Sequence, residues 1–198
     1  MKLKIFFTFF SFLIIFLTNI SYSYSIEPDV FVQSTVNRAS QALSSQLSKD
    51  QKIDKLKSIA AKTVDIKGIG MYTLGSYRKT LSEDQKKKYD VLFEKYFLKT
   101  FASRLAEYSN PEIEVKSKVV LNKNYTMVSS ILIATEQRPE VNIDWRIYTK
   151  NPSDLKVRDL IIEGLSLART QKEEFSSIIQ SNDGDINVLF SSLEKFIK

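Results

Sequence analysis

The sequence predicts an α+β fold: a curved antiparallel sheet of about four strands, with several helices packed around one face and a hydrophobic cavity enclosed between them. Three observations carry this reading. Apolar residues recur at steps of three and four as far as Tyr108, and again after Leu165. Between Ile113 and Ile162 they recur at steps of two instead, as strands with one buried face do. The links between those β-patterned stretches are too short for the crossovers that parallel strands require.

Residues 1–25 read as a secretory signal peptide. Lys2 and Lys4 form a short basic start, Ile5 to Leu17 is almost wholly apolar, and Ser21-Tyr22-Ser23 and Ser23-Tyr24-Ser25 put small residues where signal peptidase cuts. A membrane-spanning helix needs about 20 apolar residues. The run falls short of that, which favours cleavage over a permanent anchor. With no cysteine in the chain, a lipidated N-terminus is excluded. Residues 26–198 are expected to form a single domain.

Val30, Val32, Val36, Ala39 and Leu43 mark a first helix. Asp50 is placed to cap a second, with Ile53, Leu56, Ile59 and Ala60 on one face. A short helix runs from about Ile66 to Leu74 and breaks at Gly75. The clearest helix starts at Ser82, a good N-cap followed by Glu83 and Asp84, whose charges suit a helix N-terminus. Its apolar positions run through Tyr89, Leu92, Phe93, Tyr96, Phe97, Phe101, Leu105 and Tyr108, and Asn110-Pro111 ends it. This helix is expected to lie in the concavity of the sheet.

Ile113, Val115, Val119 and Leu121 open the β region, and Asn122-Lys123-Asn124 turns it. Tyr125 to Thr135 forms the second strand, broken by Arg138-Pro139. Val141, Ile143, Trp145 and Ile147 alternate with polar residues in the third. After the turn Asn151-Pro152-Ser153-Asp154, Leu155 to Ile162 is the fourth. Leu165, Leu167, Ala168, Phe175, Ile178 and Ile179 then fit one amphipathic helix. Asp185 caps a last helix carrying Ile186, Leu189, Leu193 and Phe196.

Composition removes several functions. The chain has no histidine and no cysteine, which excludes disulfides, the common zinc and haem sites and histidine-dependent triads. Loss of Lys2 and Lys4 with residues 1–25 lowers the net charge from +6 to +4, a mild excess that suits anionic lipid surfaces or simply solubility. Gly68-Ile69-Gly70 lacks the further Gly, Lys and Ser/Thr of a phosphate-binding loop. Gly164 supplies the backbone angles for a sharp strand-to-helix turn. Asp159 reads as a strand-end residue that bonds locally or caps the following turn.

Four stretches resemble the MlaC family of periplasmic phospholipid-binding proteins, also called the toluene-tolerance auxiliary family. They are Val64-Asp65-Ile66 through Thr73-Leu74-Gly75-Ser76-Tyr77; Leu81-Ser82-Glu83-Asp84-Gln85 leading to Phe93, Thr100, Leu105 and Tyr108; Lys156 through Leu167; and Phe175 with Gly184-Asp185-Ile186. The third is the most specific. The chain departs from the family pattern at Leu155, usually aromatic, at Arg78, commonly Trp, and at Lys172, usually Arg. The resemblance implies a periplasmic carrier and not an enzyme. Relatives move phospholipid between an outer-membrane lipoprotein complex and an inner-membrane ABC transporter with an MCE-domain ring, and so maintain the lipid asymmetry of the outer membrane. It implies no cofactor, only phospholipid as cargo, and a monomer that binds no nucleic acid.

A carrier has a clear physical task. Two acyl chains hold roughly 30 methylenes, and exposing them to water costs on the order of 20–25 kcal/mol at about 0.8 kcal/mol each. A protein that ferries them must offer apolar walls, with polar groups only at the mouth. The expected walls are Phe93, Phe97 and Phe101 on the long helix; Val128, Ile147, Leu160 and Ile162 on the sheet; and Leu74, Tyr77, Leu165 and Leu167 at the ends. From periodicity alone the same residues serve equally as solid core. Two other classes stay open: an adaptor or chaperone-type module with a filled core, and a small enzyme using Asp159 and Tyr148 for acid–base chemistry.

Overall fold

The computed structural model describes residues 25–108 and 111–198; the expected signal peptide, apart from Ser25, and Asn110 lie outside them. Helix α1 spans Pro28–Ser44, α2 Lys49–Thr63, α3 Ile66–Thr73 and α4 Glu83–Leu105. Strands β1 (Ile113–Asn122), β2 (Tyr125–Leu132), β3 (Val141–Tyr148), β4 (Lys156–Ile162) and β5 (Leu165–Ser166) follow, and α5 (Leu167–Gln180) and α6 (Ile186–Ile197) close the chain.

Local chemistry starts these helices. Ser82 Oγ accepts from the Gln85 amide while the Gln85 side chain accepts from the Ser82 amide, a reciprocal pair that satisfies two otherwise orphaned donors. Ser48 and Gln51 repeat the arrangement at α2, so Ser48 and not Asp50 is its cap. The Ser48 hydroxyl has the right reach; Asp50 already lies in the first turn. Helix α4 ends at Leu105, earlier than Asn110-Pro111 suggested. Its last amides bond three residues back, from Glu107 to Arg104 and from Tyr108 to Leu105, which tightens and stops the turn. Tyr108 therefore lies beyond the helix, with Arg138 over its ring.

The five strands form one antiparallel sheet in the order β1-β2-β3-β4-β5, one strand more than the sequence reading counted. The extra strand follows a tight reversal in which Glu163 (φ 48°) and Gly164 (φ 80°) both take left-handed backbone angles. That turn pairs Ile162 with Leu165, so Leu165 is a strand residue and not part of the following helix. Bulges at Lys116, Leu121 and Arg158 interrupt the ladders and increase the bend.

Two cores result. Val128, Ile147, Leu155 and Val157 on one sheet face pack against Val32 and Val36 of α1. The helical core joins Leu74, Tyr89, Phe93, Phe175, Ile179, Leu189 and Phe190 from α3 to α6. The expectation that the longest helix lies in the concavity of the sheet is corrected here. Helix α4 packs chiefly on α2, α3 and α6. With neighbours on several sides it spends its aromatic residues on other helices, and α1, α3 and α5 are the helices that meet the sheet.

Candidate functional site

The two faces of the sheet differ in chemistry. Residues directly opposite in an antiparallel pair share a face. Ile147 opposite Val157 therefore belongs to the face covered by α1, while Arg146 opposite Asp159 belongs to the other. On that second face α3 and the start of α5 lean against β4 and leave an open cleft of about 400 Å³. Gly68, Ile69 and Tyr72 of α3 form one side, and Ala168 of α5 closes it. Leu121, Asn122 and Tyr125 from the β1–β2 turn form the other. Arg146, Arg158 and Asp159 form the floor.

The floor is tied to the helices by polar bonds. Asp159 is almost fully buried; it accepts from Ser166 Oγ at 2.6 Å and from the Ala168 amide at 3.0 Å, fastening the start of α5 to β4. This is the local capping role that the sequence suggested for Asp159. Arg146 stands 3.7 Å from the same carboxylate, with 42% of its side chain exposed to the cleft. Arg158, pushed out by its bulge, pairs with Asp65, the residue that caps α3 through the Gly68 amide. Its guanidinium lies between the ring of Tyr148, 4.6 Å from the centroid, and the backbone at Gly68. A Cβ at Gly68 would come within 2.7 Å of Arg158 Cζ, so glycine there allows the close approach. An apolar rim thus surrounds a floor of paired charges, in which the part-exposed Arg146 guanidinium is the group open to a polar or anionic end of an amphiphile. Asp159 and Tyr148, the pair considered for acid–base chemistry, are each engaged: the first by three partners, the second under Arg158.

Residues 32–195 match the model of the MlaC protein family. The chain belongs to the MlaC family. A structural relative is the phospholipid-binding protein of Ralstonia solanacearum, solved in complex with a phospholipid. The two superpose with a TM-score of 0.73 at 20% identity, over 87% of this chain and 97% of that one. At that identity the likeness is one of fold.

In this MlaC-family chain the eleven residues expected to bind lipid do not form one wall. Leu74 and Phe93 are buried in the helical core, and Tyr77 and Phe97 pack on its edge. Phe101 stacks on Phe97 with ring centroids 5.6 Å apart. Val128 and Ile147 are fully buried beneath α1, and Leu160 packs beside them. Ile162 is half-buried near the end of β4. Leu165 and Leu167 are 59% and 40% exposed, flanking the Ser166 that bonds Asp159. None of the eleven lines the cleft. Gly68, Ile69 and Tyr72 fall within the first family-like stretch, whereas Leu121, Tyr125 and Arg146 stand outside all four, and no local signal brings the two sets together.

A second open cleft, of about 430 Å³, lies beside the N-terminal half of α1 between Val30, Phe31, Arg38, Lys62 and Leu155. Among the described residues no cluster of acidic side chains is arranged to hold a metal, and no helix is long and apolar enough to cross a membrane.

Proposed function

We propose that this protein is a periplasmic phospholipid carrier that exchanges lipid with an inner-membrane MCE-domain ABC transporter and an outer-membrane lipoprotein complex, and so helps maintain outer-membrane asymmetry. On this reading residues 1–25 direct export and are removed, no cofactor is needed, and the protein works as a monomer without catalysing a reaction. The observation that carries the reading is the family match over residues 32–195, on a fold shared with a protein solved with phospholipid bound.

The cleft supplies the entrance. Its volume of about 400 Å³ lies near the lower end for small-molecule sites and is tight for two acyl chains. Lipid therefore enters as α3 and the start of α5 move off β4. The polar bonds that hold them are each worth about 1 kcal/mol net, somewhat more where a charge takes part. Sheltering roughly 30 methylenes returns on the order of 20 kcal/mol, so the lipid can drive the opening. The opened wall would run from Ile69, Tyr72 and Leu121 toward Leu167, with the helical-core residues Leu74, Tyr77 and Phe93 behind them. Arg146 would meet the phosphate.

Native mass spectrometry of the protein recovered from a periplasmic extract tests this. A phospholipid-sized adduct removed by organic solvent is expected. A clean apo mass, together with no uptake of labelled lipid from vesicles, would instead favour a module with a filled core.

A further inference from the structure

Three consecutive residues near the tip of the β1–β2 hairpin, Val119, Val120 and Leu121, are 60%, 73% and 46% exposed. Side chains alternate between the two faces of a strand, so this run leaves apolar groups bare on both sides of the ribbon. A rigid protein surface laid on one face would cover only part of them. Strand addition along the free edge of β1 is also disfavoured. Leu121 and Lys116 are bulged residues without partners in β2, and the Gln33 side chain already accepts from the Val115 amide.

Charge narrows the occupant further. From Val115 to Thr135 the sequence carries Lys116, Lys118 and Lys123 and no acidic residue. Lys118 is held by Glu27 and Asp29, and Lys116 by Glu114. Exposed Lys123 sits in the turn itself, and exposed Lys150 lies close by, where the Thr149 amide bonds to the Asn124 carbonyl. A lipid interface can surround both faces of a short apolar ribbon, and an anionic one also attracts the lysines at its tip.

We propose that the tip of the β1–β2 hairpin, Val119 to Asn124, inserts into the surface of an anionic phospholipid bilayer. Leu121 and Asn122 also line the cleft, so docking through the tip sets the cleft mouth against the bilayer. The proposal goes beyond the carrier reading, since docking does not require the cleft to hold lipid.

The test exploits the absence of cysteine from the sequence. Processed protein bearing Val120→Cys, or Val91→Cys on the exposed side of α4, is labelled with the fluorophore NBD and mixed with vesicles of equimolar phosphatidylcholine and phosphatidylglycerol. Emission at position 120 is expected to shift to the blue and rise about threefold, with no change at position 91, and the response should weaken as salt is raised. In flotation with the same vesicles, the unlabelled Val119→Glu/Val120→Glu protein should bind about tenfold less than the parent. No response at position 120, an equal response at both positions, or parent-like flotation of the double variant would overturn the proposal. A response at position 120 that follows protein concentration without vesicles would assign the tip to a second copy of the chain and overturn it too. Lipid retained by the same samples, read by native mass spectrometry, reports separately on the carrier reading.

Discussion

The helical core and the cleft floor are held together by different means. Around Phe93 the rings of Tyr89, Tyr96, Phe97 and Phe175 lie 5.6 to 6.3 Å away, with Tyr89 stacked and the others tilted or edge-on, and Phe190 adds to Tyr89. Apolar area and dispersion dominate there, and one hydroxyl pair, Thr73 with Tyr89 at 2.8 Å, is sealed within it. The α3–β4–α5 junction depends instead on directional bonds to Asp159, Asp65 and Arg158 beside an open cleft. A packed aromatic cluster resists separation in every direction. A few polar bonds at a wet surface can be exchanged for bonds to water or to a ligand. On the carrier reading, the second region is the part of the molecule that opens.

The largest effect should come from the core. Phe93→Ala is expected to cost about 3–5 kcal/mol in urea unfolding, through lost burial and the cavity left among its neighbours. Asp159→Ala should cost about 2–3 kcal/mol by the same measurement, because it strands the buried Ala168 amide and the half-buried Ser166 hydroxyl and leaves Arg146 unpaired. If Asp159→Ala destabilised more than Phe93→Ala, the ranking of the two regions would be reversed.

Arg158→Leu should cost only about 1 kcal/mol, since its ion pair is part-exposed. It should nevertheless speed uptake of labelled phospholipid by about fivefold, the rate equivalent of that weakening. Unchanged or slower uptake would remove Arg158 from the fastening between α3 and β4.

The smallest effect is a pH dependence inside the core. Burial pushes the Tyr89 phenol above its usual value of 10.0, against the smaller opposing pull of the Thr73 hydrogen bond. The folded chain therefore keeps this proton at pH values where the unfolded chain has lost it. Stability from this group is full below pH 10 and declines as pH rises further. Tyr89→Phe should flatten that decline in alkaline denaturation, even though it loses the bond to Thr73.

How much of this was legible in the sequence follows from the range of each interaction. The capping residue Ser82, the spacing of Tyr89, Phe93 and Phe97, and the alternation through Val141, Ile143, Trp145 and Ile147 are local signals, and they gave the elements correctly. The Ser48–Gln51 capping box is equally local, but Asp50, a cap residue type in its own right, sits two positions further on and masks it. Gly164 alone suggests a strand-to-helix turn, because two-residue strands carry too few positions to show a period. Which helix covers the sheet was not local at all. Periodicity shows that Phe93 and Val128 are each buried on one side, but not that α1 covers Val128 while α4 stays among helices. The cleft was hidden for the same reason. The bulge at Arg158 brings it to Asp65 and Gly68, which lie some ninety residues earlier in the chain.

Spin labels at Tyr72→Cys and Leu121→Cys, on opposite sides of the cleft, measure its opening directly. With phospholipid bound, the distance between the labels should lengthen relative to the delipidated protein as α3 moves off the sheet. An identical distance distribution with and without bound lipid would contradict the assignment of this cleft as the entrance.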